Sequence, residues 1–231
     1  QNMAFLAFFL MEAPDIFQNI SPLDHRYLLA NKELFADLRQ HLSEEAGVKY
    51  CIMVESALLK AHVVTTLGGK SSLLDEADAL IEKISPAEVY EEEEKTQHNI
   101  RALVNVIKRK VSPELKPYVH LGATSVDILD TAFALRIRGA IRKCVLPLLI
   151  DVEDQLVELA DSEAQTAQVG RTHGQFAVPV TLGFAFAEYV ARLGKAIVEL
   201  DNRAKQLRGK LSGAVGAYNA TSMIVSDPEA F

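Results

Sequence analysis

The sequence has little cysteine and no apolar run long enough to cross a bilayer. Its 231 residues include two cysteines, Cys51 and Cys144, which lie in apolar helical patterns and lack the spacing of metal ligands. This count favours two reduced, buried thiols and a cytoplasmic protein. The apolar run Met3–Met11 is far shorter than the roughly 20 residues of a membrane-spanning helix.

That run predicts an apolar arm over residues 1–20, which packs on the body of the protein or on a partner subunit. A signal peptide is the alternative. No basic segment precedes the run and no small-residue cleavage site follows it, so the arm is favoured.

An excess of positive charge and the common nucleotide motifs are also lacking. The net charge is −7, which excludes a general nucleic-acid or anionic-membrane surface as partner. An anionic substrate stays possible, because a local cluster of Arg and His side chains can outweigh a distant negative surface. No P-loop, Rossmann fingerprint or zinc spacing occurs, so we expect neither a cofactor nor a metal.

No convincing alternation of apolar and polar residues predicts a β-strand, and we expect an all-α fold. Apolar residues recur every three or four positions over Asp127–Glu163 and Pro179–Leu207. These segments predict two helices of about 45 to 55 Å at 1.5 Å per residue. Pro147 is expected to kink the first. Two parallel apolar stripes on that helix predict contacts on more than one side, as inside a bundle.

A polar, proline-rich break at Ser112-Pro113 and Lys116-Pro117 predicts a domain boundary. We expect the arm at 1–20, a small helical domain at 21–117, and the first part of a long-helix bundle at 118–231. Two long helices cannot bury this much apolar surface between themselves. The bundle needs further helices, from additional sequence or other subunits, so these residues look like the front part of something larger.

The hexapeptide Gly-Arg-Thr-His-Gly-Gln at residues 170–175 lies between the two long predicted helices. A shorter turn would join them, so a connection carrying Arg171, Thr172 and His173 suggests a function. An imidazole, with an ordinary pKa of about 6.5, transfers protons in either direction near neutral pH. The flanking glycines let the backbone approach a ligand. The alternative is a plain connection with solvated side chains.

Three further polar segments lie at predicted helix ends: Arg26-Tyr27, Gln97-His98-Asn99 and the segment from His120 to Ser125. Helix ends carry unpaired backbone donors that can converge on an anionic ligand. Each segment also has a structural explanation by itself, as surface packing, a helix cap or a histidine satisfied by its neighbours.

Five strings together resemble the adenylosuccinate lyases of the fumarase/aspartase superfamily. They are SPLDHRY at 21–27, EKTQHN at 94–99, HLGATSVDILDTA at 120–132, GRTHGQFAVPVTLGF at 170–184 and GKLSGAVGAYNA at 209–220. They occur in family order and cover nearly the whole chain after residue 20. The pairing of GRTHGQ with HLGATS is the specific part, since the related cycloisomerases resemble GATS but usually depart from THGQ.

The resemblance implies a β-elimination that releases fumarate from adenylosuccinate, giving AMP, and from the succinylaminoimidazole carboxamide ribotide of purine biosynthesis. A C–H beside a carboxylate loses its proton while an amine leaves, so the leaving nitrogen needs a general acid. His173 matches that acid. Thr124 and Ser125 match residues that bind the succinyl carboxylates, where the charge of the carbanion accumulates.

The remaining implied site residues bind the nucleotide or lie near the reacting end. Arg26 and Tyr27 match binders of the nucleotide phosphate, a group that suits a guanidinium. His98 matches a histidine that assists catalysis. The other residues implied to bind substrate are Gln97, Asn99 and Thr172, while His120 is a weaker candidate with a structural or supporting role.

Three features differ from the family pattern. Asn99 stands where an Asp usually follows the histidine, which predicts a more freely turning His98 ring. Phe176 stands where a smaller residue or Pro is commoner, which affects packing. The serine base of the family, on a loop of the form S-S-x-M-P-x-K-x-N-P, has no counterpart in these residues.

Family active sites are shared by three subunits of a homotetramer. We therefore expect the full-length protein to be a tetramer and this chain alone to lack appreciable activity. Two alternatives remain: another lyase or cycloisomerase of the superfamily, and a non-catalytic structural relative.

Overall fold

The computed structural model describes residues 26–227 and residue 231. The chain forms two compact units, divided between Gln40 and His41. The first unit contributes helix α1 (Arg26–Ala30) and most of α2 (Lys32–Leu42). The arm predicted at residues 1–20, like its signal-peptide alternative, lies outside the described residues.

The second unit is dominated by helices, as predicted. They are α3 (Glu44–Thr66), α4 (Ser71–Asp78), α5 (Leu80–Lys83), α6 (Pro86–Thr96), α7 (Asn99–Lys110), α8 (Ser125–Ala140), α9 (Leu146–Ser162), α10 (Leu182–Gln206) and α11 (Asn219–Ile224). A 3₁₀ turn occupies Lys116–Tyr118, and a π-helical turn, Ile141–Val145, joins α8 to α9. The strands β1 (Ala167–Thr172) and β2 (Gln175–Thr181) form a hairpin between α9 and α10. The all-α fold class is confirmed.

Local sequence signals explain several helix boundaries. Ser85 accepts a hydrogen bond from Glu88 N while the Glu88 carboxylate accepts one from Ser85 N, a capping box that begins α6. Gly68 and Gly69, with φ of +72° and +68°, stop α3.

The core of the second unit forms around α3 and α7. Ile52 and Leu59 of α3 and Ile107 of α7 are fully buried. Burying each such side chain contributes about 1.5–3 kcal/mol. The same cluster continues to Ile128 and Ala132 of α8, so it crosses the proline-rich break at 112–117. The domain boundary at residue 117 stays a prediction.

Both cysteines are buried, and neither forms a disulfide bond. Burial, assisted by the nearby negative charge of Glu55, raises the pKa of the Cys51 thiol to about 11. This agrees with the interpretation of two buried thiols.

The predicted irregularity at Pro147 takes the form of a π turn. Proline has no N–H to donate, and in a regular α-helix its ring clashes with the carbonyl four residues earlier. The π turn at Ile141–Val145 immediately precedes it, and Leu146 N donates to Ile141 O, five residues back. The long predicted helix is therefore two α-helices joined by one wider turn.

The hairpin corrects two predictions. Strands β1 and β2 pair antiparallel around His173-Gly174, whose φ angles are +52° and +72°, whereas no strand was expected. The second long helix begins at Leu182 and not at Pro179, with Thr181 accepting the capping hydrogen bond from Phe184 N. Both strands are largely exposed, with Phe176 at 79%. No buried face imposes the period-two pattern that reveals a strand.

Helices α9 and α10 pack closely and antiparallel. A Cβ on Gly183 would lie 2.4 Å from Ala160 O, and one on Gly194 would lie 2.9 Å from Glu153 Oε1. Their other faces expose large apolar side chains: Leu148, Ile150, Val152, Val157, Leu159, Phe184, Tyr189 and Val198. In the described part of the chain, no helix is both long and apolar enough to cross a membrane.

Candidate active site at the start of helix α8

Two of the predicted site segments meet where α7 and α8 begin. His98 caps α7, and its Nδ1 accepts a hydrogen bond from Arg101 N at 3.2 Å. Its Nε2 lies 3.4 Å from Ser125 Oγ. Because Nδ1 accepts, the neutral ring carries its proton on Nε2 and donates it toward Ser125. The helix cap therefore holds the His98 ring in one orientation and tautomer, whereas Asn99 in place of Asp predicts a ring that turns more freely.

The neighbours of His98 make local hydrogen bonds. Gln97 ends α6 in the left-handed conformation, and its Nε2 donates to Glu94 O at 2.8 Å. Asn99 begins α7, and its Oδ1 accepts from Ile100 N at 2.7 Å. The Asn99 oxygen is thus engaged with its own helix, while the Asn99 side chain is exposed beside the His98 ring.

Thr124 and Ser125 occupy the cap and the first position of α8, and both are half-buried. The backbone N–H groups of a helix start are unpaired and carry positive partial charge, which suits a carboxylate. The structure therefore brings Thr124, Ser125 and His98 into one place with donors suited to an anion.

The carboxylate of Asp127 holds this helix start in place. It is 1% exposed and accepts from Thr124 N at 2.9 Å and from Lys210 Nζ at 2.5 Å. It also accepts from Ser212 N and Gly213 N, each at 3.1 Å. Burial raises the pKa of Asp127, but the hydrogen bonds from Lys210 and the backbone outweigh burial and leave the pKa below its usual value.

The same contacts connect α8 to the glycine-rich loop between α10 and α11, residues 207–218. Thr131 Oγ1 donates to Lys210 O at 2.9 Å and accepts from Lys210 N at 2.8 Å, next to the Lys210–Asp127 ion pair. Neither Asp127 nor Lys210 is among the site residues that the sequence predicts. The spacing of Thr124 and Asp127, three residues apart before an apolar stripe, is a capping signal that could have found the carboxylate.

His173 and Thr172 lie on the hairpin, where both are exposed. The bulge between Val169 and Arg171 leaves no room for a side chain at position 170, since a Cβ there would lie 2.5 Å from Val178 O. The Arg171 guanidinium lies over the Phe176 ring, 5.6 Å from its centroid.

The hairpin is remote from the start of α8 within the chain. Ser125 begins the rod formed by α8, the π turn and α9, which ends at Ser162. That rod is about 55 Å long at 1.5 Å per residue. The hairpin follows its far end, so the structure does not bring His173 and Thr172 to Ser125 in one copy of the chain.

Arg26 and Tyr27 belong to the first unit, where both side chains are exposed in α1.

Two cavities in the second unit lie beside residues of the predicted site. One of about 340 Å³ has Asn99 in its wall, together with Tyr90, Phe133 and Arg136. Another, of about 890 Å³, lies along the hairpin and includes Arg171. Among the described residues, no cluster of His, Cys, Asp and Glu could hold a metal ion.

Known proteins similar to this chain are lyases and their structural relatives. The adenylosuccinate lyase of Archaeoglobus fulgidus is 34% identical over 210 residues, covering 87% of this chain and 43% of that protein. The adenylosuccinate lyase of Pyrococcus abyssi is 35% identical over 199 residues, covering 85% and 42%. That of Haemophilus influenzae is 30% identical over 214 residues, covering 87% and 46%. The chain thus spans less than half the length of these curated relatives.

Solved structures give the same fold. A fumarate lyase from Mesorhizobium sp. BNC1 superposes with a TM-score of 0.68 at 28% identity, over 80% of this chain and 44% of that one. A β-carboxy-cis,cis-muconate cycloisomerase from Acinetobacter calcoaceticus superposes with a TM-score of 0.66 at 26% identity, over 80% and 44%.

The roles of the individual site residues stay predictions, because no comparison tests them. The family to which the chain belongs follows from a match over most of its sequence. The family described as "Lyase" matches residues 23–228, which is nearly all of the chain. The chain belongs to this lyase family, within the fumarase/aspartase superfamily.

Proposed function

We propose that this chain is the N-terminal part of an adenylosuccinate lyase of purine biosynthesis, acting in the cytoplasm. The reaction eliminates fumarate from adenylosuccinate, giving AMP, and from the succinylaminoimidazole carboxamide ribotide. The main structural support for this proposal is that His98, Thr124 and Ser125 lie together at the start of α8. The similarity to adenylosuccinate lyases from several organisms supports the choice of substrate.

The start of α8 suits the anionic end of the substrate. The hydroxyls of Thr124 and Ser125 and the backbone N–H groups beside them donate to a succinyl carboxylate. In the transition state that carboxylate takes up the negative charge that the departing proton leaves on the substrate, and fixed donors stabilise this charge more than they stabilise the ground state. The Nε2–H of His98 adds a further donor, oriented by the hydrogen bond that Nδ1 of the same ring accepts from Arg101 N.

His173 supplies the proton that the leaving nitrogen needs. The left-handed turn at His173-Gly174 exposes its ring at the tip of the hairpin. The phosphate end of the nucleotide falls to Arg26 and Tyr27, and Gln97, Asn99 and Thr172 complete the binding residues. A serine base on additional sequence removes the C–H proton, so the 231 residues alone have no appreciable activity.

The site is completed by other copies of the chain in a homotetramer. The rod of about 55 Å from Ser125 to Ser162 supports this, since His173 lies on the hairpin beyond its far end and one copy does not bring both residues to one substrate. The exposed apolar residues of α9 and α10 support it too, because a bundle buries such faces against further helices.

The test is fumarate release from adenylosuccinate, followed by absorbance, with a complete protein that contains this chain. We expect turnover by the wild type and a loss of about 10² or more in His173→Ala, the usual contribution of a general acid. Gln168→Ala, an exposed change on the same hairpin, is the matched control and keeps full activity.

Other outcomes of the fumarate-release test would lead to different conclusions. Activity that survives His173→Ala moves the acid to another residue, with His98 next in line. A wild type that is inactive on adenylosuccinate but active on a muconate identifies a cycloisomerase. A wild type inactive on every such substrate is a structural relative. Appreciable lyase activity of the 231 residues alone would contradict a base outside the chain.

A further inference from the structure

One face of α3 contacts the segment that leads into α8. Glu55 and His62 lie two helical turns apart and therefore on the same side of α3. Glu55 Oε1 lies 2.6 Å from His120 Nδ1, and His62 Nε2 lies 3.0 Å from Leu121 O. Two side chains of α3 thus hold two consecutive residues, three and four positions before Thr124.

A glutamate at position 55 lowers the stability of the core. The residue is 0% exposed, among the apolar side chains of the core. Its second oxygen, Oε2, has no hydrogen-bond partner among the described residues. A buried, half-satisfied carboxylate lowers stability relative to an apolar residue of similar volume. Stability alone therefore does not account for a glutamate here.

The segment that Glu55 holds has an unusual backbone. His120 has φ of +61° and Gly122 has φ of +82°. The left-handed conformation is unfavourable for a residue with a Cβ, so neighbouring contacts must maintain it at His120. The hydrogen bond to Glu55 fixes the His120 ring, which is 20% exposed, and with it the turn.

That turn sets the position of the anion-binding residues. It is followed directly by Thr124, whose N–H is held by Asp127, and by Ser125, whose Oγ faces His98. The start of α8 is therefore fixed from two sides, by α3 through His120 and Leu121 and by the glycine-rich loop through Asp127.

We propose that Glu55 is a positioning residue, which acts through His120 to hold Thr124 and Ser125 in the geometry that binds the substrate carboxylate. Glu55 touches no substrate itself. The inference rests on the proposed function, because it assumes that Thr124 and Ser125 bind that carboxylate.

The experiment compares Glu55→Leu and Glu55→Gln in the complete protein. Leu removes the hydrogen bond to His120, which costs stability, but it also removes the unpaired Oε2 from the apolar core. The His120 ring is 20% exposed and can turn to water, so we expect the thermal midpoint of unfolding to change little. We expect kcat/KM for adenylosuccinate to fall about 10- to 100-fold, as small misplacements of binding groups do. Glu55→Gln keeps an oxygen that accepts from the His120 ring, and it recovers most of the activity.

Ser56→Ala is the matched control on the same helix. Ser56 is buried and donates to Ala77 O at 2.8 Å, away from the segment before α8. Its loss lowers the thermal midpoint and leaves kcat/KM unchanged. A purely structural role for Glu55 would give this same pattern in Glu55→Leu and would overturn the inference.

A second variant tests the route through His120. Asn tolerates the left-handed conformation but is too short to reach Glu55, so His120→Asn breaks the pair from the other side even if Glu55→Leu does not fold. We expect the same fall in kcat/KM, and no further fall in the double variant, because both changes remove one interaction. Additive losses, or unchanged kcat/KM in the folded variants, overturn the inference alone. A wild type without activity on adenylosuccinate overturns the proposed function and this inference with it.

Discussion

His62 of α3 is 1% exposed, and its ring contacts those of Tyr118 and Phe231, with centroids 5.6 and 4.7 Å away. Burial lowers the pKa of His62, and the hydrogen bond to Leu121 O raises it by less. Unfolding returns the ring to its ordinary pKa of about 6.5. Below that pH the unfolded chain binds a proton that the folded chain does not, so the free energy of unfolding falls as the pH falls.

At this residue scale, His62→Gln should weaken the pH dependence. The Gln amide can still donate to Leu121 O, but it does not titrate. Urea unfolding of the chain at about pH 7.5 and about pH 5.5 measures the effect. From about pH 7.5 to about pH 5.5, the free energy of unfolding of the wild type should fall by up to about 1.4 kcal/mol more than that of the variant. This is the limit for the binding of one proton over one pH unit below its pKa. Equal losses in both proteins would contradict a neutral, buried His62.

At the scale of elements, one ion pair joins α8 to the glycine-rich loop. Asp127→Asn keeps the shape of the side chain but leaves the Lys210 ammonium, 2.5 Å away, without its counter-charge. Asp127 is buried, but 30% of the Lys210 side chain is exposed, so breaking the pair from one side costs about 1–3 kcal/mol, less than for a fully buried pair. We expect a loss of that order in the free energy of unfolding, measured in urea.

Glu199→Gln is the control for that experiment. It removes the partner of Arg203 on α10, an exposed pair four residues apart on one helix. Such pairs contribute about 0.3–0.5 kcal/mol. If the two variants lose similar amounts, the Asp127–Lys210 pair does not hold the loop against α8.

The same elements show how far the sequence predicts this structure. The helices were predictable because each buries one face, which imposes the period of 3.6, and because Ser85, Gly68 and Gly69 mark their ends. The hairpin was not, since strands exposed on both faces carry no alternating pattern. The hexapeptide indicates a role for His173 but carries no signal of the turn in which it lies.

The contacts around the site likewise divide into those that the local sequence predicts and those that it does not. Thr124 as the cap of α8 follows from local spacing. The bond between Glu55 and His120 joins residues 65 apart in the chain, and no local pattern relates them. Long-range polar pairs of this kind are decided by the packing of α3 against α8, which a single sequence does not specify.

At the scale of the whole molecule, the proposed function divides its chemistry between the two ends of the α8–α9 rod. In that proposal the start of α8 supplies donors for the carboxylate, and the hairpin, which follows the far end of the rod, supplies the imidazole. The apolar faces of α9 and α10 lie between them. Antiparallel packing of these rods from different copies would set the start of one beside the hairpin of another, burying those faces.

That arrangement predicts complementation between two inactive variants of the complete protein. Ser125→Ala and His173→Ala each remove one half of every site, and each protein alone should be impaired. When equal amounts are mixed and their subunits exchange, about one quarter of the sites draw both intact residues from different copies, so activity returns to about a quarter of the wild type. A mixture of His173→Ala and His173→Gln is the control and stays inactive, because no copy carries His173. Failure of the first mixture to recover, with exchange of subunits verified, would mean that a single copy supplies both residues.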